Sequence, residues 1–149
     1  MKIELKDISF SYEDNIEVLD KLSLTLNEGE MVAILGHNGS GKSTLSKIIM
    51  GLIEPNSGEI LINDEIVYNN DGLNEKAFDN ARSAMGIIFQ NPDNQFVGVT
   101  VADDIAFGLE NRCISRSEMI ERINKYSALV SMEDYLKTNP ENLSGGQKQ

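Results

Sequence analysis

Met31-Val32-Ala33-Ile34-Leu35 runs directly into Gly36-His37-Asn38-Gly39-Ser40-Gly41-Lys42-Ser43, and Leu45, Ile48 and Ile49 follow at helical spacing before Gly51. A short continuous apolar run is the pattern of a strand buried on both faces of a parallel sheet. The glycine-rich octapeptide fits G-x-x-x-x-G-K-[ST], and by chance a chain of this length would carry one roughly once in a few hundred. The spacing has a physical purpose. Successive backbone N–H groups curl around phosphates, glycines allow left-handed dihedrals and close approach, and Lys42 brings a point charge to the terminal phosphates. The Ser43 hydroxyl suits Mg²⁺, and the helix that follows offers its N-terminus to the anion. The strand–loop–helix context therefore predicts nucleotide binding. His37 occupies a variable position of the loop and reads as a solvent-facing residue.

Outward from this loop, Ile3 and Leu5, then Leu22, Leu24 and Leu26, alternate with polar residues in the period of half-buried strands, with Glu13-Asp14-Asn15 as a turn. Ile60, Ile62 and Ile66 flank Asn63-Asp64-Glu65, a hairpin signal. Residues 69–82 read as a loop with a short helix, and Met85 to Phe89 as a second buried strand ended by Gln90-Asn91-Pro92. Helix then dominates. Thr100 caps a helix with Asp103 and Asp104 as favourable first-turn charges. Ser115-x-x-Glu118 forms a capping box before Met119, Ile123, Tyr126 and Val130, which share one face. Internal repeats and low-complexity tracts are absent.

Composition sets outer limits. With 13 Lys and Arg against 24 Asp and Glu, the net charge of −11 opposes broad contact with nucleic acid or anionic lipid. Cys113, the only cysteine, allows no intrachain disulfide and no cysteine metal cage, which fits a reduced, intracellular setting. No secretory signal opens the chain, and no apolar run reaches the roughly 18–20 residues of a transmembrane helix. At 149 residues the expectation is one domain of ordinary size, or two small lobes that share a core.

Leu143-Ser144-Gly145-Gly146-Gln147 narrows the reading, since that pentapeptide arises by chance on the order of once in several thousand such chains. With it the sequence resembles the ATP-binding subunits of ABC transporters. The stretch from Gln90 through Asn91-Pro92-Asp93-Asn94-Gln95-Phe96-Val97 and Thr100-Val101 to Asn111 is more specifically similar to the ATPases of energy-coupling-factor importers. The resemblance implies an α/β P-loop NTPase fold with an antiparallel β lobe, a parallel-sheet core and a helical lobe, C-terminally incomplete. It places the β lobe and core in 1–90, the Q-loop and helical lobe in 91–142, and the signature in 143–149. It also implies an ATP site of Gly36, His37, Asn38, Gly39, Ser40, Gly41, Lys42, Ser43 and Thr44. Tyr12 would stack on adenine, and Gln90 is the Q-loop glutamine, with Mg²⁺ reached by Ser43 and Gln90. Ser144, Gly145, Gly146 and Gln147 would face the ATP of a partner subunit.

The partners so implied are a second ATPase subunit in a homo- or heterodimer, an integral membrane coupling subunit and a substrate-binding membrane subunit. They imply a peripheral position on the cytoplasmic face, with Phe96 and Val97 as apolar docking anchors or as packing within their own lobe. The implied activity is ATP hydrolysis coupled to uptake of vitamins or transition-metal ions such as cobalt or nickel.

The family's apolar strand ending in Asp-Glu, its switch histidine and its dimer-contact Asp have no counterpart here. Ile60-Leu61-Ile62-Asn63-Asp64-Glu65 mimics the Asp-Glu element but precedes the signature and reads as a hairpin. The residues after Leu143 are too few to sustain a helix alone, so the signature turn is expected to be poorly formed. Weak ATP binding, negligible hydrolysis and aggregation are the corresponding expectations for these residues in isolation. Alternatives are a nucleotide-binding fragment without turnover, a soluble ABC ATPase acting on ribosomes or DNA, and a GTPase or nucleotide kinase. A GTPase would need N-K-x-D, and Asn124-Lys125-Tyr126-Ser127 lacks the Asp.

Overall fold

Ile3, Leu5, Ile8 and Phe10 point one way from strand β1 (Ile3–Ser11) and are buried. This computed structural model describes residues 1–13, 16–91 and 95–149, so most of the Glu13-Asp14-Asn15 turn and the Pro92-Asp93-Asn94 stretch lie outside the described residues. The chain divides into two units, Met1–Ile87 and Ile88–Gln149.

In the first unit, β1 pairs antiparallel with β2 (Glu17–Leu26) on one side and β3 (Ser57–Ile62) on the other. Strands β4 (Glu65–Asn69) and β5 (Gly72–Leu73) extend the sheet, in the order β2-β1-β3-β4-β5. The simple alternation expected for β1 is shifted at Asp7, whose φ of 50° marks a bulge, and its N–H donates to Ser23 Oγ at 2.9 Å. The hairpin forms as expected. Asn63 and Asp64 both have positive φ, 50° and 64°, the requirement of a two-residue turn that matches strand twist. Asn63 Oδ1 accepts from Lys2 N–H at 2.9 Å and Asp64 pairs with the Lys2 ammonium, so the decoy carboxylates serve a turn.

Helix α1 (Lys42–Ile49) buries Leu45 and Ile48, and α2 (Glu75–Arg82) buries Ala77 and Phe78 in the same core as Ile60, Ile62, Val67 and Tyr68. Asn74 caps α2 by accepting from Ala77 N–H at 3.2 Å. The Tyr68 hydroxyl donates to Pro55 O at 2.7 Å.

Two strand expectations fail. Residues 31–35 and 85–89 form no strand; Met31 is 98% and Ile88 72% exposed. A parallel strand is made by its neighbours, which supply every ladder bond, and no described residue pairs with either run. The sheet described here is therefore wholly antiparallel.

The second unit is helical. Helix α3 (Val101–Glu110) begins at Thr100 with a reciprocal capping box to Asp103. Its first N–H groups reach back across the unit, Val101 to Thr138 O at 3.0 Å and Ala102 to Leu136 O at 2.9 Å. Helix α4 (Arg116–Leu129) is capped by Ser115, which accepts from Glu118 N–H. Its inward stripe is not the expected one. Met119 and Ile123 are partly buried, but Ser127 is the buried position, while Tyr126 and Val130 are exposed. The stripe follows steps of four residues, 119-123-127, and a small side chain lets the helix approach its neighbours. Short 3₁₀ turns at Glu133–Tyr135 and Pro140–Asn142 lead to α5 (Gly145–Lys148).

Candidate nucleotide-binding site

The loop 36–41 connects the irregular, exposed run 31–35 to α1, and its shape is set by two left-handed glycines, Gly39 at φ 83° and Gly41 at φ 85°. Gly41 is the residue just before α1, where a Cβ would stand 2.9 Å from Leu19 Cδ2 and 3.0 Å from Val18 O. Close approach to β2 therefore requires glycine there, as the motif's spacing implies. Around Gly39 the space is open, the condition for a ligand to approach the backbone. Ser40 N–H donates to His37 O at 3.2 Å, closing the turn, and His37 itself is exposed with Nδ1 2.9 Å from Asn38 O.

The Lys42 ammonium sits at the centre of this loop. It donates to Gly36 O and His37 O, both at 2.8 Å, and lies 3.4 Å from Ser40 Oγ. Its partners are neutral oxygens, and it makes no ion pair among the described residues. A cation held by carbonyls in a chain of net charge −11 is a charge without a local counter-ion. Ser43, in the first turn of α1, is exposed, and Asn38 is exposed on the loop. These residues fit a polyphosphate carrying a divalent cation: open backbone at Gly39, one uncompensated ammonium and an accessible hydroxyl at a helix start.

Tyr12 is brought to the same place. Its hydroxyl lies 3.1 Å from Thr44 Oγ1, and its ring meets Phe10 edge-on with centroids 4.8 Å apart at 89°. Phe10 and Thr44 are buried, yet Tyr12 is 58% exposed, so the ring is held at two points and still largely open to solvent. The sequence pointed to Tyr12 but gave no sign of the Thr44 bond.

Gln90 and the signature belong to the second unit. Gln90 is exposed in a bend that follows the irregular run. Contrary to expectation, the signature turn is formed. Ser144 Oγ accepts from Gln147 N–H at 3.4 Å, and Gln147 Oε1 accepts from Ser144 N–H at 2.9 Å. This reciprocal box satisfies two helix-start groups locally, while buried Leu143, tied to Pro140 O, fixes the entry. One turn thus stands where a longer helix would otherwise need propagation. Gly145 and Gly146 present no Cβ and have open space around them.

Phe96 lines a groove of about 470 Å³ within this unit, with Val101, Ile105, Tyr135, Leu143 and Gln147. It faces its own lobe, whereas Val97 is 65% exposed and Val99 75%. No cluster of three His, Cys, Asp or Glu side chains that could hold a metal occurs among the described residues, and Asp103 and Asp104 have partners of their own. Their work is structural: Asp103 in the cap, and Asp104 Oδ1 accepting from Val97 N–H at 2.8 Å and Gly98 N–H at 3.0 Å. Reading Asp104 only as a helix-start charge missed that bond.

Residues 19–149 match the family model described as ABC transporter. The chain is 52% identical to the energy-coupling factor transporter ATP-binding protein EcfA1 of Mycoplasmopsis synoviae, covering 99% of this chain and 54% of that protein. It is 50% identical to the protein of the same name from Bacillus subtilis, over 99% of this chain and 51% of the relative. The chain spans about half the length of the curated relatives it matches. Among solved structures, cbiO1 from Clostridium perfringens, described as part of the ABC transporter complex cbiONQ, superposes with a TM-score of 0.84 at 31% identity. That match covers 98% of this chain and 57% of cbiO1.

Proposed function

Because the chain belongs to the ABC transporter family, we propose that it is the nucleotide-binding part of an ATPase subunit of an energy-coupling-factor importer, driving uptake of vitamins or transition-metal ions. The observation that carries this reading is the loop around Lys42: an ammonium held by neutral oxygens with no ion pair among the described residues, open backbone at Gly39 and a helix start, with the Tyr12 ring fixed beside α1. Half-identity to relatives named for energy-coupling-factor transport supports the narrower class.

In this reading the loop amides and Lys42 bind the phosphates, and Tyr12 stacks on the base. Ser43 and Gln90 would hold Mg²⁺, which supplies charge neutralisation on the phosphates. Ser144 to Gln147 would present their helix start to nucleotide on a second ATPase subunit, of the same or a different chain. Turnover rests on positioning and on charge stabilisation, with motion passed through the Gln90 region to a membrane coupling subunit and a substrate-binding membrane subunit. No described helix is long and apolar enough to cross a membrane, which accords with a peripheral position on the cytoplasmic face.

A second reading, binding without turnover, is favoured by one observation: the apolar run 31–35 stands unpaired and exposed, as do Ile88 and Phe89. Paired assays on the full-length subunit separate the two. Under the first, fluorescent ATP binds, phosphate is released and Lys42→Ala removes both; binding without phosphate release identifies the second, and binding unchanged by Lys42→Ala refutes both.

A further inference from the structure

The geometry points to Asn56 and Thr44 as positioning residues that hold Tyr12 in one pose beside the start of α1 before any nucleotide arrives. The inference rests on the reading above in which Tyr12 takes the base. Tyr12 directly follows β1, and the end of that strand is gripped by a residue outside the sheet. The register of β1 with β3 ends at Ser9, opposite Ser57. Two residues on, the Ser11 N–H donates to the side-chain oxygen Asn56 Oδ1 at 2.6 Å, and the Ser11 hydroxyl donates to the same oxygen at 3.3 Å. The Asn56 N–H donates in turn to Ser9 O at 2.9 Å. Asn56 therefore adds one more rung to the ladder, with its side chain in the place of a strand. Its own support is firm, because Pro55 beside it is buried and its carbonyl accepts from the buried Tyr68 hydroxyl at 2.7 Å.

The ring is held separately from the backbone. Its hydroxyl is 3.1 Å from Thr44 Oγ1, and its edge-on partner Phe10 lies at 4.8 Å between centroids. Thr44 is buried in α1 next to Leu45 of the core, so it does not follow the ring if the ring moves. Thr44 also belongs to the helix whose start forms the anion site. The hydroxyl pair thus ties the ring to the phosphate loop, and Asn56 ties the backbone beneath it to the sheet. Ordering one side chain on binding costs about threefold to tenfold in affinity. A ring already held in place avoids that loss, and the base and the phosphates of one nucleotide meet two surfaces whose separation is preset.

The test uses the full-length subunit with ATP and inorganic tripolyphosphate as probes. The ratio of the two affinities isolates what the nucleoside contributes, so any direct effect of residue 44 on phosphates cancels. Asn56→Ala, Thr44→Val and Tyr12→Phe should each lower that ratio about threefold to tenfold. Tyr12→Phe keeps a stacking ring, so its loss reports position and not stacking. Asn56→Asp and Thr44→Ser, which keep the accepting oxygen and the hydroxyl, should stay within about twofold of the parent. Tyr12→Phe combined with Thr44→Val should match either single variant, since both remove the same bond. A second readout needs no nucleotide. NMR relaxation of ¹³C-labelled tyrosine rings, with the Tyr12 signal identified by its absence in Tyr12→Phe, should show faster Tyr12 motion in Asn56→Ala and Thr44→Val. A parent-like ratio in Asn56→Ala or Tyr12→Phe overturns the proposal. So do losses that multiply in the double variant, or a ring that moves no faster. If Asn56→Ala or Thr44→Val does not fold, Tyr12→Phe decides, because it removes a single hydroxyl from a largely exposed ring. A Tyr12→Ala variant with an unchanged ratio defeats the base-binding reading itself, before any positioning variant is compared.

Discussion

Gly41→Ala measures how tightly the phosphate loop is tied to the sheet. Gly41 has φ 85°, and its absent Cβ would lie 2.9 Å from Leu19 Cδ2, 3.0 Å from Val18 O and 3.2 Å from Val18 Cγ1. Leu19 is buried, so it has little room to yield. Holding an L-residue in the left-handed region costs about 1–2 kcal/mol. Forcing a methyl into packed surroundings costs about 1–3 kcal/mol more. The sum is about 2–5 kcal/mol, reduced by about 0.4–1 kcal/mol because alanine also lowers unfolded-chain entropy. Gly39 provides the control. It has nearly the same φ, 83°, but nothing within 4 Å, so Gly39→Ala should show the dihedral cost without the packing cost. The entropy correction cancels between the two variants. Urea unfolding monitored by circular dichroism should therefore rank Gly41→Ala below Gly39→Ala by about 1–3 kcal/mol, the overpacking contribution. Equal stabilities, compared at a common urea concentration near the midpoints to avoid the long extrapolation, would refute the claimed contact between loop and β2.

Two further outcomes follow from single side chains. Burial, with Glu54 nearby, raises the Tyr68 phenol above its ordinary value of 10.0, so its contribution to stability is complete below about pH 10 and is lost as pH rises through the raised value. Tyr68→Phe should flatten that alkaline loss in pH-dependent unfolding curves, and at neutral pH should cost about 1–3 kcal/mol because Pro55 O loses its donor. Tyr12→Ala should weaken ATP binding by about 1–3 kcal/mol, the usual contribution of base stacking on an aromatic ring. It should leave tripolyphosphate binding unchanged in competition titrations; equal loss for both ligands would remove the ring from base recognition.

What could be read before the structure was whatever physics closes within a few residues. The Asn63-Asp64 turn, the Thr100 cap and the phosphate loop are each decided by local dihedrals and one or two hydrogen bonds, and each forms. The signature turn was underrated on the same ground, because the Ser144–Gln147 box stabilises one turn without needing a second. In α4 the apolar residues 119, 123, 126 and 130 share one face by period, yet Tyr126 and Val130 are exposed and buried Ser127 marks the side that turns inward. The Asp7 bulge had no glycine to announce it. For Asp104 a signal did exist: Gly98, six positions earlier, makes sense only as a close approach of main chain to the helix start.

The parallel strands failed for a deeper reason, and it bears on function. An apolar pentapeptide such as Met31 to Leu35 carries the capacity for burial, while the ladder bonds that realise it belong to neighbours distant in sequence. The hairpin β3–β4 brings its own partner across two residues; residues 31–35 and 85–89 do not, and 31–35, Ile88 and Phe89 remain exposed while Met85 packs against the core. Yet loop 36–41 keeps its shape although the run before it is unpaired. Its restraints come from the other side: Gly41 against Val18 and Leu19, Leu45 and Ile48 in the core, and Tyr12 bonded to Thr44. The geometry of loop 36–41 is thus anchored through β2 and α1, independently of the run that leads into it. It follows that pairing of 31–35 should alter stability and exposed apolar surface far more than it alters the dihedrals of Gly39 and Gly41.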